Sequence, residues 1–85
     1  RVPNQMKYFE REGKSLNITN DAENYKPGDI VAYDLGGGTT HIAIVVDVKS
    51  DDGERYQIVH NIGGGQVMED TLFSYHKIIG HYRLF

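Results

Sequence analysis

Two of the four histidines stand where an imidazole could move protons. His41 opens the apolar run "HIAIVVDV" directly behind "GGGTT", and His60 closes the run "RYQIVHNI". A histidine titrates near neutral pH, so such a pair could act as a general base and its orienting partner. The nucleophile that such a base ordinarily serves is missing, because the chain has no cysteine. That composition also removes disulfides and thiolate metal sites, and it leaves the redox compartment open. On pattern alone, two histidines on one face of a hairpin are half-buried polar groups satisfied by backbone carbonyls more often than they are catalysts. His76, beside Lys77, and His81, between Gly80 and Tyr82, read as surface or sheet-filling residues.

Other chemistries find less support. A metal site built from His41, His60 and Asp34 or Asp47 lacks any tight spacing such as HxH or HExxH, so no metal is assigned. The glycine triplets Gly36 to Gly38 and Gly63 to Gly65 match neither the P-loop nor the dinucleotide fingerprint, and no cofactor is expected. Their favoured reading is backbone freedom at bends or bulges, with close approach of a substrate as the alternative. In that alternative Gly37, Gly38, Asn61 and Gly64, all near the two histidines in sequence, are the candidate substrate contacts. Tyrosines and phenylalanines are spread over the whole chain, which suits a small core with hydroxyls at its rim.

The elements that must position these residues follow from periodicity. Val2, Met6 and Phe9 have the spacing of one helical face, with Pro3 and Asn4 at the start and Gly13 at the end, and they predict a short helix over residues 4 to 12. Residues 14 to 26 hold no period and read as a connecting loop with room for a short helical turn. Pro27 and Gly28 fit the centre of a type II turn. Strands are then predicted at "DIVAYDL", "HIAIVVDV", "RYQIVHNI" and "KIIGHYRLF", with "MEDTLFSYH" able to hold a further strand and a turn. The fold expected is α+β, a curved and mainly antiparallel sheet of four or five strands with one N-terminal helix. If Asp52 and Gly53 form a two-residue hairpin, His60 opposes Val45 and His41 opposes Gly64. Both imidazoles then share a face but lie on the order of 13 Å apart along the strands, so a working pair needs a bulge to halve that.

Composition bounds the remaining possibilities. The chain has 85 residues and a net charge of -3, from nine Lys and Arg against twelve Asp and Glu, and its basic residues form no run. Nucleic acid is therefore not an expected partner. No apolar run reaches the length of a membrane span. The chain begins at Arg1, which suggests a segment of a longer protein, and a single partial domain over residues 1 to 85 is expected.

Read together, "KPGDIVAYDL", "THIAIVVD" and "YQIVHNIG" resemble the second half of NlpC-type, papain-like cell-wall peptidases. The run from "RVPN" through "YKPGDIVAYDLGGG" and "VHNIGGG" to "IIGHYR" resembles more closely the C-terminal half of the bacterial family called the domain of unknown function 1287. The resemblance implies a cysteine hydrolase, an amidase or endopeptidase acting on peptidoglycan-type peptides, with His41 as base and His60 orienting it. In such proteins the cysteine heads a helix that precedes this segment, so the chain alone is expected to be inactive. The partners implied are that missing N-terminal segment and a peptidoglycan-type substrate, in a periplasmic or secreted location, and the apolar sheet face left uncovered without that segment makes self-association, or association with another protein, a further expectation. A module that binds cell wall or protein without catalysis is the alternative.

Overall fold

The computed structural model describes residues 2–61 and 64–84, and within the first helix the side chains of Val2, Pro3, Asn4, Gln5 and Phe9 lie outside the described residues. Helix α1 spans Val2–Arg11, with Met6 half-buried. It ends where Gly13 takes φ 73°, a left-handed torsion that glycine adopts without steric cost. The loop that follows contains one turn of 3-10 helix, Ala22–Asn24, capped by Asp21, whose carboxylate accepts the Glu23 amide at 3.0 Å. Tyr25 then buries its ring and donates its hydroxyl to the Thr19 carbonyl at 2.8 Å, which ties the loop to the body.

Five strands follow: β1 (Ile30–Gly36), β2 (Thr39–Lys49), β3 (Tyr56–Asn61), β4 (Gln66–Glu69) and β5 (Lys77–Tyr82). They form one sheet in the order β4-β3-β2-β1-β5, and every neighbouring pair is antiparallel. The first four strands meander. The chain then crosses one face of the sheet through residues 70–76 and adds β5 on the far side of β1. Entry to β1 is the turn the Pro-Gly pair implies, with Gly28 at φ 93° and the Asp29 amide donating to the Lys26 carbonyl at 3.0 Å. The outer edge of β5 is covered by residues 14–16, because the Leu16 amide donates to the His81 carbonyl at 2.7 Å and the Arg83 amide to the Lys14 carbonyl at 3.0 Å.

Alternation sends Val31 and Tyr33 of β1, Ala43 and Val45 of β2, and Ile58 of β3 to the face crossed by residues 70–76. Tyr25 and Leu72 cover them, and the Tyr33 hydroxyl donates to the Leu72 carbonyl at 2.7 Å, pinning the crossing segment to the sheet. Burial of a side chain such as Val31, Val45, Ile58 or Leu72 stabilises the fold by about 1.5–3 kcal/mol. On the opposite face Ile30, Ile44, Val59 and Met68 stand in register across four strands. Ile44 and Met68 remain about half exposed, at 46% and 51%.

The β2–β3 hairpin departs from the two-residue turn. Its loop is longer and closes where the Ser50 amide donates to the Arg55 carbonyl at 2.8 Å, with Gly53 at φ 71°. Between the pairs Val45↔Ile58 and Lys49↔Tyr56, β2 has three residues where β3 has one, so the register shifts by two. A shift of two keeps every side chain on its own face and slides the strands by about 7 Å.

Candidate active site

That slide assembles the site. His60 now opposes Ala43 and not Val45, which leaves it two residues from His41 along the strand direction. Both point to the core face, and His41 Nε2 lies 2.8 Å from His60 Nδ1, a hydrogen bond between the two rings. The ring centroids are 5.0 Å apart at 70°. His60 is buried, and its Nε2 lies 2.7 Å from Glu69 Oε1 on β4. Glu69 retains about a third of its side-chain surface in water, so a continuous line of contacts runs from a partly solvated carboxylate through a buried imidazole to a half-buried one.

Tyr75 of the crossing segment roofs the pair. Its ring meets His60 edge-on at 4.7 Å, His41 at 5.5 Å and Tyr33 at 5.2 Å. A helical turn holds it there, with the Tyr75 amide donating to the Thr71 carbonyl at 3.0 Å. Burial pushes the His41 pKa below its ordinary value, and the neighbouring imidazoles of His60 and His76 push the same way. His41 is thereby held neutral, the state in which an imidazole can take a proton.

The glycines beside His41 have a torsional reason to be glycine. Gly36, Gly37 and Gly38 lie at φ 90°, 60° and 81° and build the tight β1–β2 hairpin that launches His41. Space is not the constraint, since a Cβ added at any of the three would meet nothing within 4 Å. Asp34 serves the same hairpin, its Oδ1 accepting the Gly36 amide at 2.8 Å. Gly64 is exposed outside the strands, and Gly63 lies outside the described residues. Asn61 pairs with Gln66 and has the opposite parity to His60, which turns its side chain to the far face, away from the imidazoles. Asp47 is exposed on β2, and among the described residues no three His, Asp or Glu side chains gather to hold a metal.

The other two histidines diverge. His76 is exposed and lies edge-on to Tyr75 at 4.6 Å. His81 is buried, stacks on Tyr25 at 4.2 Å and 19°, and meets Asp29 Oδ2 at 2.6 Å through Nε2. Arg83 grips the same carboxylate through Nε at 2.8 Å and Nη2 at 2.7 Å. Sequence reasoning missed Glu69 and Tyr75 as members of the site. The available signal for Glu69 was parity: once β4 pairs with β3, Val67 and Glu69 face the same side as His60, and a carboxylate at an inward position is conspicuous.

No solved structure matches the chain. A curated relative, "Uncharacterized protein YijF" of Escherichia coli (strain K12), is 40% identical over 85 residues, which is all of this chain and 40% of the relative. The chain thus spans well under half the length of that relative. Residues 1–84 match the family described as Domain of unknown function (DUF1287), and with that match covering all but the last residue, the chain belongs to this family.

Proposed function

We propose that this chain carries the base-bearing half of a cysteine hydrolase, an amidase or endopeptidase for peptidoglycan-type peptides, and that the cysteine comes from a segment outside these 85 residues. The observation that carries the reading is the 2.8 Å contact between His41 Nε2 and His60 Nδ1. It occupies one ring nitrogen of His41 and leaves Nδ1 as the nitrogen that can meet a nucleophile. The resemblance of "THIAIVVD" and "YQIVHNIG" to NlpC-type peptidases assigns these two histidines the same roles. In the reaction proposed, His41 Nδ1 takes the thiol proton, the thiolate attacks the amide carbonyl, and the imidazolium returns the proton to the amine as the C–N bond breaks; water, deprotonated by His41, then cleaves the thioester and the proton returns to the thiol. His60 holds the His41 ring in place through both steps. Gly37 and Gly38 stand at the hairpin nearest His41, where a substrate backbone could pass, and a periplasmic or secreted location accompanies the cell-wall substrate.

The competing reading, a module that binds cell wall without catalysis, calls for aromatic rings exposed along one groove. Among the described residues Tyr25, Tyr33 and Tyr82 are buried and Tyr56, Phe73 and Tyr75 pack against the core; Tyr8 on α1 is about half exposed, and one ring does not line a groove, which favours the hydrolase. The half-exposed row through Ile44 and Met68 supports a partner, either the cysteine-bearing segment or a second copy, over the other face. The test is to combine the chain with the cysteine-bearing segment and follow cleavage of cell-wall peptides. General-base help alone is worth about 10² to 10⁴-fold, so the isolated chain should be silent. His41→Ala should abolish the restored cleavage while His76→Ala retains it. Cleavage by the chain alone, or a His41→Ala protein that still cleaves, would overturn the proposal.

A further inference from the structure

We infer that Glu69 is a positioning residue that fixes the direction of both hydrogen bonds in the Glu69–His60–His41 line, and so makes His41 Nδ1 the one imidazole nitrogen in it with an uncommitted lone pair. The inference deepens the hydrolase reading and rests on it only for its consequence in turnover. An ionised carboxylate can only accept hydrogen bonds, so at 2.7 Å from Glu69 Oε1 the His60 Nε2 must carry a hydrogen and donate it. A neutral imidazole has one N–H, which leaves His60 Nδ1 as an acceptor. The atom 2.8 Å from that acceptor is His41 Nε2, which must therefore be the donor. His41 in its neutral form then has no hydrogen on Nδ1. Of the four ring nitrogens in the pair, two donate and one accepts, and the fourth alone can take up a proton.

The surroundings leave Glu69 to this task. The guanidinium of the β2–β3 hairpin, Arg55, is held by Asp70 through Nε at 3.0 Å and by Asp52 at 3.5 Å. His60 has no surface through which water could replace the carboxylate without rearrangement, since its side chain is fully buried. Tyr75 packs its ring against both imidazoles, with centroids 5.5 Å from His41 and 4.7 Å from His60. A neutral amide at position 69 would remove the constraint, because its oxygen can accept from His60 Nε2 and its NH₂ can equally donate to it. Donation to His60 Nε2 would move the His60 hydrogen to Nδ1, make His41 Nε2 the acceptor, and place the His41 hydrogen on Nδ1, where it blocks proton uptake.

The experiment is long-range proton–nitrogen NMR of the imidazoles in the full chain, at a pH above the titration of both histidines. For the unmodified protein the expected result is one tautomer at each ring: His60 and His41 both protonated on Nε2 and bare on Nδ1. Glu69→Gln, nearly the same shape, should lose that uniqueness and show His41 Nδ1–H, and Glu69→Asp should restore the single form in part. In the cleavage assay Glu69→Gln should lower kcat in proportion to the blocked fraction of His41. A His41 protonated on Nδ1 in the unmodified protein overturns the inference, and that measurement needs no variant to fold. So does a Glu69→Gln protein whose two tautomers are unchanged. The tautomers are read without turnover, so a chain that proves not to be part of a hydrolase would leave this assignment to stand or fall on the spectra.

Discussion

Replacing Asp29 should remove a large share of the fold's stability, although Asp29 lies on a turn that takes no part in the imidazole pair. Its carboxylate is 1% exposed and accepts four hydrogen bonds: from Arg83 Nε and Nη2 at 2.8 and 2.7 Å, from His81 Nε2 at 2.6 Å and from the Lys26 amide at 3.0 Å. Those bonds join the entry to β1, the end of β5 and the segment beyond it. Asp29→Ala leaves a buried imidazole and a guanidinium without their acceptor, a change that costs about 3–5 kcal/mol where a buried pair is broken from one side. Arg83 keeps about a third of its side chain in water and can rehydrate, so the lower end, about 3 kcal/mol, is expected. Domains of this length have about 4–13 kcal/mol in total. In urea, where small domains have slopes of about 1 kcal/mol per molar, the midpoint should therefore fall by about 3 M with an unchanged slope. A fall of less than about 0.5 M would show that the cluster contributes little and that this account of β5 docking is wrong. The pH dependence carries a sign. Burial opposes ionisation of Asp29, but Arg83, the Lys26 amide and His81 outweigh it and hold the carboxyl below its ordinary 3.8. The folded state then binds fewer protons than the unfolded chain, so this contribution is present above pH 3.8 and is lost as pH falls toward the folded pKa. Asp29→Asn should lack that part of the acid transition.

Gly80→Ala should destabilise by about 1–3 kcal/mol, because the new methyl would sit 2.7 and 2.8 Å from carbons of the Tyr82 ring, which is itself buried. A domain of this size loses about 4–8 °C in Tm per kcal/mol, and an unchanged Tm would contradict the packing described. His41, whose pKa burial and the neighbouring imidazoles lower from 6.5, should remain the unprotonated base on mild acidification. NMR titration of its ring should give a midpoint below that of an exposed histidine, with base function lost only as pH falls through it, and a midpoint at or above 6.5 would refute the assigned environment.

Strands β1, β2, β3 and β5 were legible because alternation of apolar and polar residues is local, and the Pro27-Gly28 turn because its torsions are properties of those two residues. Parity placed His41 and His60 on one face for the same reason. Their contact was not legible. It depends on the shift between Val45 and Lys49, where "VDV" carries no glycine or proline to announce a bulge, and where packing across the sheet sets the register. Likewise the position of β5 beside β1 is a pairing of residues about fifty apart in sequence, fixed by the side chains of His81 and Arg83 meeting Asp29. Glu69 escaped notice because a four-residue strand gives too short a pattern to read a face from.

Among the described residues the fold contains a histidine bonded to a carboxylate twice, and the two copies differ in where their lines of hydrogen bonds end. At Asp29 the carboxylate is buried, and an arginine, a backbone amide and an imidazole all converge on it. The His81 nitrogen remote from it, Nδ1, is buried with no hydrogen-bond partner among the described residues. A proton delivered there would have no route onward. At Glu69 the carboxylate is partly in water, and the histidine's far nitrogen meets a second imidazole that is itself half-exposed. There the inferred polarity would leave the lone pair at the other end, on His41. A buried histidine–carboxylate pair is a candidate reactive centre only when its hydrogen-bond line ends at the edge of the core, and on the proposed reading of this chain that end is the half-buried His41.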